Sequence, residues 1–185
     1  KLAQSLYERH KMLTYPRTDS RYLPEDYVGI VSNTIDSIGK DHAELAPFAK
    51  DIQTNNRLIP TKRIFNNAKI SDHFAIIPTG RVVKLSEPEQ KLFDLVAKRF
   101  LAVFFPPAIF ENTRRETTIS HTEGISDTFL TTGKVLVEPG WLAVYGRQVG
   151  VAAGKDELCP VSEGEDAQLE EISVKEDETK PPARY

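Results

Sequence analysis

Seven residues, Thr14-Tyr15-Pro16-Arg17-Thr18-Asp19-Ser20, concentrate groups that can work on a phosphate ester. Proline pushes the residue before it out of the α region, so Tyr15 is expected to be extended. In extended backbone, residues two apart point to the same side. Pro16 therefore brings the Tyr15 phenol and the Arg17 guanidinium toward one face, within reach of one anion. The planar fork of arginine suits a phosphate diester. A phenol can attack phosphorus and leave a phosphotyrosine ester. A free phenol holds its proton to about pH 10, so a neighbour must take that proton or polarise the phosphate. Thr18, Asp19 and Ser20 add short polar groups that either hold a turn or reach a sugar-phosphate backbone. Asp19 either holds Arg17 or makes a turn. The competing reading of the whole stretch is a plain helix-to-loop turn, its ring packed inward and Arg17 in solvent.

The elements that must position these groups are legible from periodicity. Leu2, Leu6, Tyr7, His10 and Leu13 recur on one helical face, which predicts a helix over 1–13. A second helix is expected from Pro24, with Glu25 and Asp26 at the dipole-favoured end. Its stripe is Tyr27, Val28, Val31, Ile35 and Ile38, and Gly39 is expected to stop it. A third is expected over 43–52, with Leu45, Phe48 and Ile52 inward. Residues 53–84 read as irregular, broken by Pro60 and Pro78. Ser86-Glu87-Pro88-Glu89 is a capping-box pattern. It opens a fourth helix carrying Leu92, Phe93, Val96, Phe100, Val103 and Phe104, ended by Pro106-Pro107. Beyond it, "IFENTRRETTISH", "TFLTTGKVLVEP", "GWLAVYG" and "AQLEEISVKE" read as strands. Trp141 is expected in a β core. The order is helices, then strands, an α+β class.

Composition bounds the function. A chain of 185 residues with 39% hydrophobic and 28% charged residues is an ordinary globular sequence. No apolar run approaches the ~20 residues of a membrane span. The single cysteine excludes an internal disulfide and a cysteine-rich zinc site. Residues 1–121 hold 18 basic against 14 acidic side chains, and residues 122–185 hold 6 against 13. Only the first part has the charge of a nucleic-acid binder. The chain starts without Met and stops without a closing motif, so it is expected to be a piece of a longer protein.

"LYERHKMLTYPRTDSRYL" closely resembles the active-site segment of type IA DNA topoisomerases. "DHFAIIPTG" at 72–80 resembles that family's His-x-Ala-Ile-x-Pro-Thr motif. "EQKLFDLVAKRFLAVFFPPAIFENT" at 89–113 resembles the helix leading back into its β arch. "TKPPARY" at 179–185 resembles the lead-in to its next domain. Ile77 in "AIIPT", with "GWLAVYG", is most similar to the topoisomerase III branch. The resemblance implies a helical, winged-helix-like catalytic-tyrosine domain over 1–108. It implies the returning half of the β arch over 109–185, both parts of the family's toroid.

The resemblance also implies roles. Tyr15 would attack one DNA strand and keep its 5′-phosphate end, another strand would pass, and the 3′-OH would reseal the break. Arg17 would clamp the phosphate and stabilise transition-state charge. Thr18, Asp19, Ser20, His73 and Thr79 would contact DNA, with Asp19 and Thr79 open to a purely supporting role. DNA, preferentially single-stranded, is the implied partner, in the cytoplasm and with the nucleoid. No Asp-x-Asp element is present, so no metal site is expected in this chain. Mg²⁺ is expected in the full-length enzyme, held by a separate toprim domain. His10, His42 and His121 match no motif, and Arg114-Arg115 reads as a strand edge. Two other classes stay open: a DNA-binding module with an idle phenol, and a protein-interaction segment.

Overall fold

Helices form where the apolar stripes are, but several end elsewhere than the sequence suggests. The computed structural model describes residues 1–120, 124–146, 158, 161–166, 176–179 and 181. The first helix, α1, covers only Leu2–Glu8. The chain then leaves the helix, and Lys11 takes a left-handed turn at φ 56°. Leu13 is buried, but as one residue of a β-bridge to Pro78 rather than as part of a helical face. Pro24 precedes a single 3₁₀ turn, Glu25–Tyr27, which feeds α2 at Val28–Asp41. Helix α3 covers Ala46–Thr54 and α4 covers Glu87–Ala102.

Gly39 does not stop α2, which runs through it to Asp41. Its missing side chain is used for packing instead. A Cβ there would meet the Ala49 Cβ of α3 at 3.1 Å. The glycine lets two helices approach, which outweighs its ~1 kcal/mol helix penalty. One core unites the helices: Leu6, Val31, Ile35, Ile38, Ile52, Phe93, Ala97 and Leu101 are all buried.

Strands β1 (Ile109–Ser120) and β2 (Ser126–Glu138) form one antiparallel hairpin, paired from Ile109↔Glu138 to Ser120↔Ser126. Val137 is skipped in this register, which places a bulge at the base of the hairpin. Helices plus a two-stranded sheet make the fold α+β. Phe129, Leu130, Ile119 and Ile125 stand exposed on the hairpin.

The expected strand at "GWLAVYG" is a 3₁₀ helix, Gly140–Tyr145, packed on α4. Trp141 therefore packs against the helical core and not in a β core. Its N–H donates to the Pro106 carbonyl at 3.0 Å, and Val144 is buried in the helical core. A short continuous apolar run reads the same in a strand and in a helical turn, and here Val144 enters the core with Trp141 and Tyr145 packed against it. The strand expected at 167–176 and the motif at 179–185 lie almost wholly outside the described residues, as does His121.

Gly140 holds this turn in place. It sits at φ +47°, and a Cβ would stand 2.5 Å from the carbonyl oxygens of both Pro106 and Pro107. Gly140→Ala is expected to destabilise the chain by roughly 2–4 kcal/mol, from left-handed strain plus forced backbone displacement. Urea unfolding of the two proteins measures it. A change below ~0.5 kcal/mol, the size of an ordinary surface substitution, would mean the turn is loosely seated.

Candidate active site

Two irregular stretches, 11–23 and 64–80, are sewn together, and the phenol sits on the seam. The Thr14 N–H donates to the Ile77 carbonyl at 3.0 Å, and the Thr79 N–H donates to the Met12 carbonyl at 3.0 Å. The Thr14 hydroxyl bridges the same two chains. It donates to the Ala75 carbonyl at 3.0 Å and accepts from the Ile77 N–H at 2.9 Å. Further along, the Leu23 N–H donates to the Ile64 carbonyl and the Asn66 N–H to the Leu23 carbonyl. Glu25 closes that end by accepting from the Lys62 ammonium at 2.6 Å and the Asn67 N–H at 3.3 Å. The hydrogen bond from Lys62 and that from Asn67 hold its carboxyl below the usual range. Loop backbone this far from a sheet still pairs its polar groups, as burial requires.

Tyr15 is half-buried between two rings. Its centroid lies 4.1 Å from that of His73 at an interplanar angle of 39°. The edge of Tyr7 meets it at 5.4 Å and 83°. His73, 58 residues away in sequence, is thus brought against the phenol. The Tyr15 hydroxyl makes no hydrogen bond among the described residues. A ring clamped on two sides, with its hydroxyl unbonded among the described residues, has the geometry that an attacking phenol needs. The Lys11 ammonium stands 5.5 Å from the Tyr7 centroid, so a cation sits one ring away.

The other candidate residues divide into holders and free groups. The Thr18 hydroxyl donates to the His73 carbonyl at 2.9 Å, which pins the backbone of the residue whose ring lies against Tyr15. It also accepts from the Ser20 N–H at 3.0 Å. The Ser20 hydroxyl donates to the Lys69 carbonyl at 3.1 Å and accepts from the Tyr22 N–H at 3.2 Å. The Thr79 hydroxyl donates to the Lys11 carbonyl at 2.6 Å, which fixes the left-handed turn before Tyr15. A hydroxyl has one hydrogen to give, and these three give it to the protein. Arg17 and Asp19 are exposed and form no ion pair with each other or with any described residue. A cavity of about 390 Å³ opens at Asp19, lined also by Ser20, Arg21, Tyr22, Lys69 and Ser71 but not by Arg17.

Sequence reasoning missed Tyr7, Lys11 and Thr14. Tyr7 looked like one more position of an apolar stripe. Thr14 opens the seven-residue motif without a role of its own there, and Lys11 lies three residues before it; a threonine before an expected extended tyrosine was the one available signal. His10 had no assigned role, yet its Nε2 lies 3.1 Å from Glu89. His42 stacks on Phe93 at 5.2 Å, a core contact.

Among the described residues, no three His, Cys, Asp or Glu side chains gather in a way that could hold a metal ion. Among the same residues, no helix is long and apolar enough to cross a membrane.

A family model described as DNA topoisomerase matches residues 1–185. The chain is 38% identical over 191 residues to a protein of Bacillus subtilis named DNA topoisomerase 3, covering 98% of this chain and 25% of that one. It is 37% identical over 190 residues to the protein of the same name from Bacillus licheniformis, with the same coverage. A Bacillus cereus protein of that name is 36% identical over 192 residues, covering 100% of this chain and 25% of its own length. The chain spans about a quarter of the length of these relatives. It belongs to the DNA topoisomerase family.

Proposed function

We propose that this chain supplies the nucleophile of a type IA DNA topoisomerase. Tyr15 Oη attacks a phosphodiester of one DNA strand. The new bond is a 5′-phosphotyrosine ester, and the bond that breaks frees the 3′-oxygen, which takes up a proton. A second strand passes through the break, and the 3′-OH attacks the ester to restore DNA and phenol. The ester conserves the bond energy, so no nucleotide hydrolysis is needed. The observation that carries this reading is the Tyr15 ring held between Tyr7 and His73 with its hydroxyl unengaged among the described residues.

Arg17 is proposed as the phosphate clamp, since its guanidinium is exposed and unpaired among the described residues. His73 is proposed to contact the same phosphate from its place against the phenol. Asp19 stands exposed beside them as a proposed DNA contact. For Thr18, Ser20 and Thr79 the proposed contribution is support of the loop, because their hydroxyl hydrogens are already engaged. Single-stranded DNA is the proposed substrate strand. Metal-binding acids, and the Mg²⁺ they would hold, are proposed to come from outside this chain.

Mapping the covalent complex tests the reading. Full-length enzyme is mixed with 3′-labelled single-stranded DNA and stopped with denaturant. Trypsin cleaves after Lys11 and Arg17, so the label is expected on the peptide Met12–Arg17. Label on another peptide, or on none, would overturn the assignment.

A further inference from the structure

A polar cluster joins α1, His10 and the start of α4. The Glu89 carboxylate collects four donors. Oε2 takes the Ser86 N–H at 3.2 Å and the Ser86 hydroxyl at 2.6 Å, closing the start of α4. Oε1 takes the Ser5 hydroxyl of α1 at 2.7 Å and His10 Nε2 at 3.1 Å. Glu89 and His10 side chains are only 11% and 13% exposed. One oxygen thus caps its own helix while the other holds a different one.

We propose that Glu89 and His10 are positioning residues for Tyr15. The proposal rests on the reading of Tyr15 as nucleophile. Helix α1 has seven residues and no side-chain cap, far below the ~12–15 residues at which a helix persists alone. Its place depends on tertiary ties: buried Leu6, the Ser5 bond to Glu89, and the His10 bond to Glu89 just past the helix end. Tyr7 on α1 supplies the edge contact to the Tyr15 ring. The segment from His10 to Tyr15 is short and tied at each step. Met12 N–H donates to the Leu6 carbonyl at 2.8 Å, Lys11 is held by Thr79, and Thr14 is held by Ile77. A shift of α1 therefore moves both Tyr7 and the backbone that carries the phenol.

The chemistry demands an anion at position 89. The surrounding groups all donate, and a carboxylate only accepts. The hydrogen bonds from Ser86 and then Ser5 bring the Glu89 carboxyl down to about 2, so it is charged at neutral pH. Glutamine would turn an amide N–H₂ toward donors and leave some of them unmet. His10 gives one N–H from Nε2, and a glutamine side chain can offer an amide N–H of similar reach.

The test uses single-turnover cleavage by full-length enzyme at saturating single-stranded DNA, below the melting temperature of every variant. Glu89→Gln and His10→Ala are expected to cleave roughly 10- to 100-fold more slowly, the cost of a phenol displaced by up to about 1 Å. His10→Gln is expected to recover most of the rate. DNA affinity should stay within about twofold, since other contacts hold the backbone. If Glu89→Gln does not fold, Ser5→Ala and His10→Ala carry the test. Variants that melt earlier but cleave at the wild-type rate would overturn the proposal, and so would His10→Gln as slow as His10→Ala. A wild-type enzyme that forms no adduct on Met12–Arg17 removes the nucleophile reading, and the positioning role falls with it. A normal wild-type adduct with indifferent variants removes only the positioning role.

Discussion

Tyr15→Phe in the full-length enzyme is expected to abolish the covalent DNA adduct while leaving DNA affinity nearly unchanged. The substitution removes one oxygen and keeps the ring. The ring is what Tyr7 and His73 touch, so the clamp survives. No described residue bonds the hydroxyl, so its loss leaves no orphaned partner. Stability should therefore change by less than ~0.5 kcal/mol, the range of a substitution that breaks no buried contact. Denaturing gels of 3′-labelled DNA measure the adduct, and fluorescence anisotropy measures binding at the same salt. A persistent adduct in the mutant would mean that another group attacks. Loss of both adduct and binding would mean that the hydroxyl serves the ground-state complex and not the chemistry.

Arg17→Ala is expected to slow cleavage by about 10²–10³, or roughly 3–4 kcal/mol, the usual cost of losing a well-placed transition-state donor. Arg17→Lys should fall between Ala and wild type. Lysine keeps the charge but replaces a rigid fork by a flexible point charge. The structure makes this test clean. Arg17 is exposed and has no ion pair or ring partner among the described residues. Its removal should leave the melting temperature in place, so a slower rate cannot be ascribed to unfolding. DNA affinity should change much less than rate, because many contacts share the backbone. The measurement is single-turnover cleavage at saturating DNA and fixed salt. If Lys equals Arg, the guanidinium acts only as a positive charge. If Ala equals Arg, the Pro16 spacing between Tyr15 and Arg17 has no catalytic meaning.

Motif residues adjacent in sequence do different jobs. In Thr14–Ser20, the phenol and guanidinium have no hydrogen-bond partner among the described residues, while Thr14, Thr18 and Ser20 are each bonded to a distant strip of chain. The bonded residues tie the loop that carries the unbonded groups to the strip at 69–77. Thr18 shows the coupling best. One hydroxyl holds the carbonyl of His73, whose ring lies against Tyr15.

The α+β class, the apolar stripes of α2 and α4, the Ser86–Glu89 cap and the chemical character of the Tyr15 segment are legible from the residues alone. These are local properties. Periodicity, capping chemistry and proline sterics act over a few residues, so they can be read from a few residues. Tertiary structure alone decided the rest. Gly39 reads as a helix stop until Ala49 of another helix is found 3.1 Å from its missing Cβ. "GWLAVYG" reads as a strand until Gly140 is seen at φ +47° beneath two proline carbonyls, with Val144 buried beside α4. The start of α1 is written in its own leucines, but its early end at Glu8, followed by left-handed Lys11 and by Leu13 bridged to Pro78, is not. The pairing of Tyr15 with His73 spans 58 residues, and no local preference encodes it. It follows from backbone hydrogen bonds between two irregular strips, and such bonds depend on position in the fold rather than on side-chain type.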